Sequence, residues 1–139
     1  MILLEQARTI VSASLALARA QNFRPLTVVV LDVGGHPIAL EREDGASFGR
    51  PAIAIGKAAG ALAMGTSSRA LGDMAVERPQ FIGALAVAWD GRMIPAAGGV
   101  LVRDGEGRVI GAVGISGDTS DKDEEAAIAG ITAAGLVAG

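Results

Sequence analysis

Three side chains stand out by type and setting: His36, Lys57 and Arg42. The chain contains one histidine, and it sits in "DVGGHPIALEREDGA", Asp32 to Ala46, between a glycine pair and Pro37. An imidazole there can move a proton or bind a metal, and Asp32, across a presumed hairpin, would orient the ring by accepting its N–H. The plainer alternative is a solvated turn histidine. Lys57 is the only charge between Pro51 and Ser68. A desolvated ammonium loses its proton more readily and suits a base or an anion holder, whereas one that snorkels to water does neither. Arg42 ends an alternating run in which His36, Ile38, Leu40 and Arg42 would share one face. Its guanidinium can clamp a carboxylate with two parallel hydrogen bonds, and a surface pair with Glu43 or Asp44 is the alternative.

A fourth candidate is "GAVGISG", with Gly111, Gly114 and Gly117 at intervals of three. It matches neither the dinucleotide fingerprint nor a phosphate loop, and Asp118 stands where a nucleophile elbow would need its last glycine. A Gly-Ser-Gly turn before an acidic helix start can still offer backbone N–H groups to a ligand carboxylate. Asp118, Asp121 and Asp123 would oppose that anion, and a plain strand-to-helix connection explains the same residues. Ser116, His36 and Asp32 can be written as a nucleophilic triad, but nothing in their spacing supports one.

Composition excludes several classes. The net charge is −3 and there is no basic run, so no nucleic-acid partner is expected. Without cysteine there is no disulfide, thiolate metal site or cysteine nucleophile. A single histidine forbids a multi-histidine metal centre within one chain. The run from Pro51 to Ser68 is too interrupted by Ala and Gly to span a membrane. Glu5 and Arg8 come too early for a secretory apolar region, which predicts a helix in a cytoplasmic protein.

The elements that must position these residues follow from periodicity. Leu4, Ala7, Val11, Leu15 and Ala18 keep helical spacing. "LTVVVLD" reads as a buried strand and "IALERE" as a second, alternating one, joined by the "VGGHP" turn. Pro51 suits a helix start, and the Ala/Gly-rich stretch to Met64 predicts a smooth helix that lets another backbone approach. A short helix follows over Arg69 to Val76, while Phe81 to Trp89 fits helix or strand. "RMIPAAGGVLVRD", "GEG" and "RVIGAVGISGD" read as extended segments around a glycine turn. A terminal helix begins with Ser120 or Asp121 as cap and Asp123 and Glu124 in its first turn. The expected order is helix, two strands, two helices, three strands, helix: a single α+β domain over residues 1–139.

Three segments, "VVVLDVGGHPIALEREDGA", "PAIAIGKAAGALA" and "AAGGVLVRDGEGRVIGAVGISGDTSDKDEEAAIAGI", together resemble the GlcG/HbpS-like, haem-degrading domain family, which also forms the C-terminal part of PduO-type proteins. The resemblance implies a profilin-like antiparallel sheet of about five strands flanked by helices, assembled into dimers or larger rings. It places the family's motifs on Asp32, Gly34, Gly35 and His36, on Arg42 to Ala46, on Lys57 and Ala58, and on Pro95, Gly98 and Gly99. Further matches fall on Gly114 to Gly117 and on Asp123 and Glu124. Some members bind haem, which makes haem a candidate cofactor here, with His36, Met64, Met93 or Lys57 as axial ligand. The implied function is haem or small-ligand binding, as an accessory in a catabolic pathway. The alternative is a cofactor-free isomerase, tautomerase or lyase. There Arg42 and Lys57 would hold an oxygenated metabolite, His36 or Asp32 would move the proton, and Pro95, Gly98, Gly99, Ser116 and Gly117 would line the pocket.

Overall fold

The apolar run after Pro25 is unbroken because the strand it forms is covered on both faces. In the computed structural model, which describes residues 1–139, β1 (Thr27–Asp32) lies between β2 (Pro37–Arg42) and β4 (Val109–Ser116). The sheet continues through β3 (Gly99–Arg103) to β5 (Val137–Ala138), and all pairings are antiparallel. Val28 and Val30 of β1 pack with Val113 and Ile115 of β4 under α1 (Leu4–Ala20) and α5 (Ser120–Ala133). Val29 and Leu31 point the other way, to α2 (Arg50–Met64).

The two faces are built from different materials. Toward α1 and α5 the core uses bulky aliphatics such as Ile10, Leu26, Ile115 and Ile131. Toward α2 it uses Ala54, Ala58, Ala59 and Ala61 against Leu101 and Ala112. The helix backbone therefore lies directly on the strands, as its Ala/Gly content predicts. A Cβ on Gly114 would run into the Ala54 carbonyl, and one on Gly99 into the carbonyl of Lys57.

The fold class agrees with the sequence expectation, while the element order differs in two places. Three helices, not two, separate β2 from β3: after α3 (Ser68–Glu77), Pro79 starts α4 (Pro79–Ala88). Its ring presets the first helical turn, which settles the segment that alone fits helix or strand. The fifth strand is β5, paired to the edge of β3 beyond α5, and residues 92–98 form a loop instead. The cap of α5 is Thr119, whose hydroxyl accepts from the Lys122 N–H, rather than Ser120 or Asp121.

The expected parity along β2 also fails. Pairing with β1 slips between Val30 and Leu31, opposite Pro37, which has no N–H for the ladder. As a result Ile38 and Ala39 both pack toward α1 and α5. Leu40 and Arg42, opposite Val29 and Thr27, take the face of α2. No helix is long and apolar enough to cross a membrane.

Candidate functional site

Lys57 is neither solvated nor free. Its side chain is buried beneath the end of the sheet, where Nζ donates to the Ile115 carbonyl and to Asp123 Oδ2, both at 3.0 Å. Gly98 makes this passage possible: its φ is +126°, and a Cβ there would stand 2.9 Å from Nζ. Asp123 Oδ1 accepts the Asp118 N–H at 3.0 Å, and the Gly117 N–H also points to this carboxylate. Burial pushes the Asp123 carboxyl above its ordinary value, with the Lys57 charge as the largest opposing influence. The anion seated on the Gly-Ser-Gly turn is thus the chain's own Asp123, not a ligand. Asp123, expected to oppose an anion at this turn, instead fills it.

Ser116 begins a polar row on the α2 face. The register places Arg42, Thr27 and Ser116 opposite one another across β2, β1 and β4. Ser116 Oγ is buried and accepts from Arg50 Nη1 at 3.2 Å. Thr27 Oγ1 is buried with no hydrogen-bond partner in the protein. Behind this row, Ser68 Oγ accepts the Gly99 N–H at 2.7 Å and closes the start of β3. Pro95 lies apart, its carbonyl against Gly72 of α3.

His36 occupies the opposite end of β1. Asp32 Oδ1 accepts the backbone N–H groups of Gly34 and His36, both at 2.9 Å, which builds the tight turn. The same oxygen lies 3.3 Å from His36 Nδ1, and the imidazole is 79% exposed. The His36 and Gly34 amides hold the Asp32 carboxyl below its ordinary value, with the nearby imidazole adding to the effect. Two apolar clefts meet at Val33 and Gly34. One, of 460 Å³, runs between Ile2, Ile38 and Ile110. The other, of 260 Å³, runs between Leu62, Ala63 and Trp89. Arg92 closes this end by donating from Nη2 to the Gly35 carbonyl at 2.9 Å.

The expected site residues therefore fall into two groups. Lys57, Gly98, Gly99, Ser116 and Gly117 come together at one end of the sheet, with Arg42 in the same row. His36 and Asp32 lie at the other end of β1, about 16 Å away at 3.3 Å per residue. The structure does not assemble His36, Lys57 and Arg42 into one centre, nor Ser116, His36 and Asp32 into a triad. Among the alternative axial ligands, Met93 is buried and Met64 faces a small apolar cleft shared with it. Sequence reasoning overlooked Arg50 and Thr27. Arg50 is marked only by its place beside Pro51 at a helix start, and its partner Ser116 is far away in the chain.

Known proteins align with this architecture over most of its length. A family model described as "Haem degrading protein HbpS-like" matches residues 2–132. Among solved structures, a PduOC:haem complex is similar at 25% identity and a TM-score of 0.84, covering 95% of this chain and 94% of that one. Klebsiella pneumoniae protein ORFY is similar at 28% identity and a TM-score of 0.86, covering 96% and 90%. A double mutant of HbpS from Streptomyces reticuli is similar at 25% identity and a TM-score of 0.79, covering 94% and 84%. No curated protein sequence matches the chain.

Proposed function

Because this chain belongs to the family of haem-degrading, HbpS-like proteins, we propose that it binds haem at the Asp32–His36 turn. The observation that carries this reading is the His36 imidazole itself, exposed and backed by Asp32. A carboxylate on Nδ1 selects the tautomer that leaves Nε2 for a metal. Were haem bound, His36 Nε2 would be the nitrogen to hold its iron, and the group would supply a redox-active metal. The donor set and its surroundings fit that group: apolar clefts flank the turn, and Arg92 provides a cation beside it. The presence of haem in the PduOC complex supports the same reading.

The protein acts as a binding or accessory protein rather than an isomerase, tautomerase or lyase. Lys57 is held by Asp123, and His36 stands too far from Arg42 for the two to share a small substrate. The turn is open to solvent, and Trp89, which lines the cleft beside it, is partly exposed. A second copy would cover such a face, so the functional form is a homo-oligomer, a dimer or larger ring.

Titrating the purified protein with hemin and recording the Soret band tests the assignment. Wild type shifts the band saturably, His36→Ala loses the shift, and Asp32→Asn weakens binding by about 10- to 100-fold. No shift in wild type, or an unchanged titration in His36→Ala, overturns it.

A further inference from the structure

We propose that the cleft between Arg24, the Gly45–Ser47 loop and Arg50 binds a small, singly charged carboxylate, with Arg50 as its clamp. This site lies at the far end of β1 from His36 and does not rest on the haem reading. The cleft measures 210 Å³, and Arg24, Ala46, Ser47, Arg50 and Gly117 are among its walls.

Three observations converge here. First, neither Arg24 nor Arg50 forms an ion pair with a carboxylate of the chain, unlike Arg19, Arg69 and Arg108. Arg50 is half-buried, and its guanidinium has only the Ser116 hydroxyl as partner. A guanidinium withdrawn from water without a counter-charge favours a carboxylate, which it can engage through two parallel hydrogen bonds. Second, the Ser116 hydroxyl that holds Arg50 Nη1 is itself buried, which anchors the guanidinium at the inner wall of the cleft rather than out in solvent. Third, the surrounding charges limit the ligand to one negative charge. Asp118 accepts the Arg24 N–H at 2.7 Å, and Asp44 follows close in the chain before Gly45. A dianion would be repelled by these carboxylates about twice as strongly as a single carboxylate, which two arginines can offset.

The test uses haem-free protein with acetate as probe and inorganic phosphate as the second arm, followed by amide chemical shifts. Acetate gives saturable shifts at Gly45 to Arg50 and at Gly117, and binds more tightly than phosphate. Arg50→Gln weakens acetate binding about tenfold or more, consistent with the loss of a charge-assisted hydrogen bond. Arg24→Gln weakens it severalfold. Arg50→Lys, which keeps the charge but not the planar fork, recovers only part of the loss. His36→Ala and Arg8→Gln, on the outer side of α1, bind acetate as wild type does. Should Arg50→Gln fail to fold, the Arg24→Gln and Arg50→Lys titrations decide. Unsaturable shifts, wild-type affinity in the arginine variants, or tighter binding of phosphate overturns the proposal.

Discussion

Two carboxylates of this protein each face one basic side chain, and the pairs behave oppositely. Asp123 and Lys57 meet beneath the sheet, 1% and 4% exposed at their side chains, while Asp32 and His36 meet at an open turn, 44% and 79% exposed. At Asp123 burial dominates and raises the carboxyl; at Asp32 the amides of the turn dominate and lower it. The contrast separates two uses of a singular basic side chain. Lys57 is spent on holding α2 to α5 past the end of the sheet. His36 is left with one nitrogen backed and the other open, the condition for meeting a ligand.

Breaking the buried pair gives the largest expected effect. Lys57→Met leaves the Asp123 carboxylate without its counter-charge in a low-dielectric site, at a cost of about 3–5 kcal/mol. Urea unfolding followed by circular dichroism measures the loss. Replacing both partners, Lys57→Met with Asp123→Leu, recovers most of it, because no charge then remains unpaired. If the single variant were as stable as wild type, Lys57 would have to be solvated or free, and the division between the two pairs would collapse.

The two pairs also explain what the sequence could reveal. Lys57 and His36 are visible as singular residues because composition isolates them, yet the same isolation accompanies opposite fates. Whether Lys57 snorkels depends on Asp123 and Ile115, far along the chain and brought near only by the crossover through β4. The first helix, the β1–β2 hairpin and the glycine turn before β4 were legible because local periodicity determines them. The third helix between β2 and β3 was not, since "FIGALAVAW" is apolar throughout and no period separates helix from strand. The short β5 pairs with β3 across α5, a non-local choice that two residues cannot signal. Arg42 joined the row with Ser116 rather than His36 because a single bulge opposite Pro37 reverses strand parity. Arg50 escaped notice, and the role of Asp123 stayed hidden, for one reason: the residue that gives each its meaning comes from another element.

The pH dependence of stability sharpens the contrast, with an intermediate expected effect. A carboxyl whose folded value lies above the unfolded 3.8, as at Asp123, binds its proton more tightly in the fold. Its contribution is fully present below 3.8 and is lost as pH rises through the raised value. Asp32 has the reverse sign: its contribution is present above 3.8 and is lost as pH falls through its lowered value. Urea unfolding at a series of pH values should therefore give difference curves of opposite slope. The stability of wild type minus Asp123→Asn grows as pH falls from neutrality, whereas that of wild type minus Asp32→Asn shrinks below 3.8. Parallel curves would mean that burial does not distinguish the two carboxylates.

The smallest expected effect on stability is at His36, and that smallness is informative. The imidazole is mostly in solvent, and the turn beneath it is held by Asp32 accepting backbone N–H groups that any residue at position 36 would supply. His36→Ala should change unfolding free energy by no more than about 0.5 kcal/mol, the range of ordinary surface substitutions. The same variant is expected to abolish the hemin shift, so function and stability part company at this residue as they do not at Lys57. A loss of several kcal/mol in His36→Ala would instead make the histidine part of the turn's architecture, and the two acid–base pairs would then differ only in exposure, not in purpose.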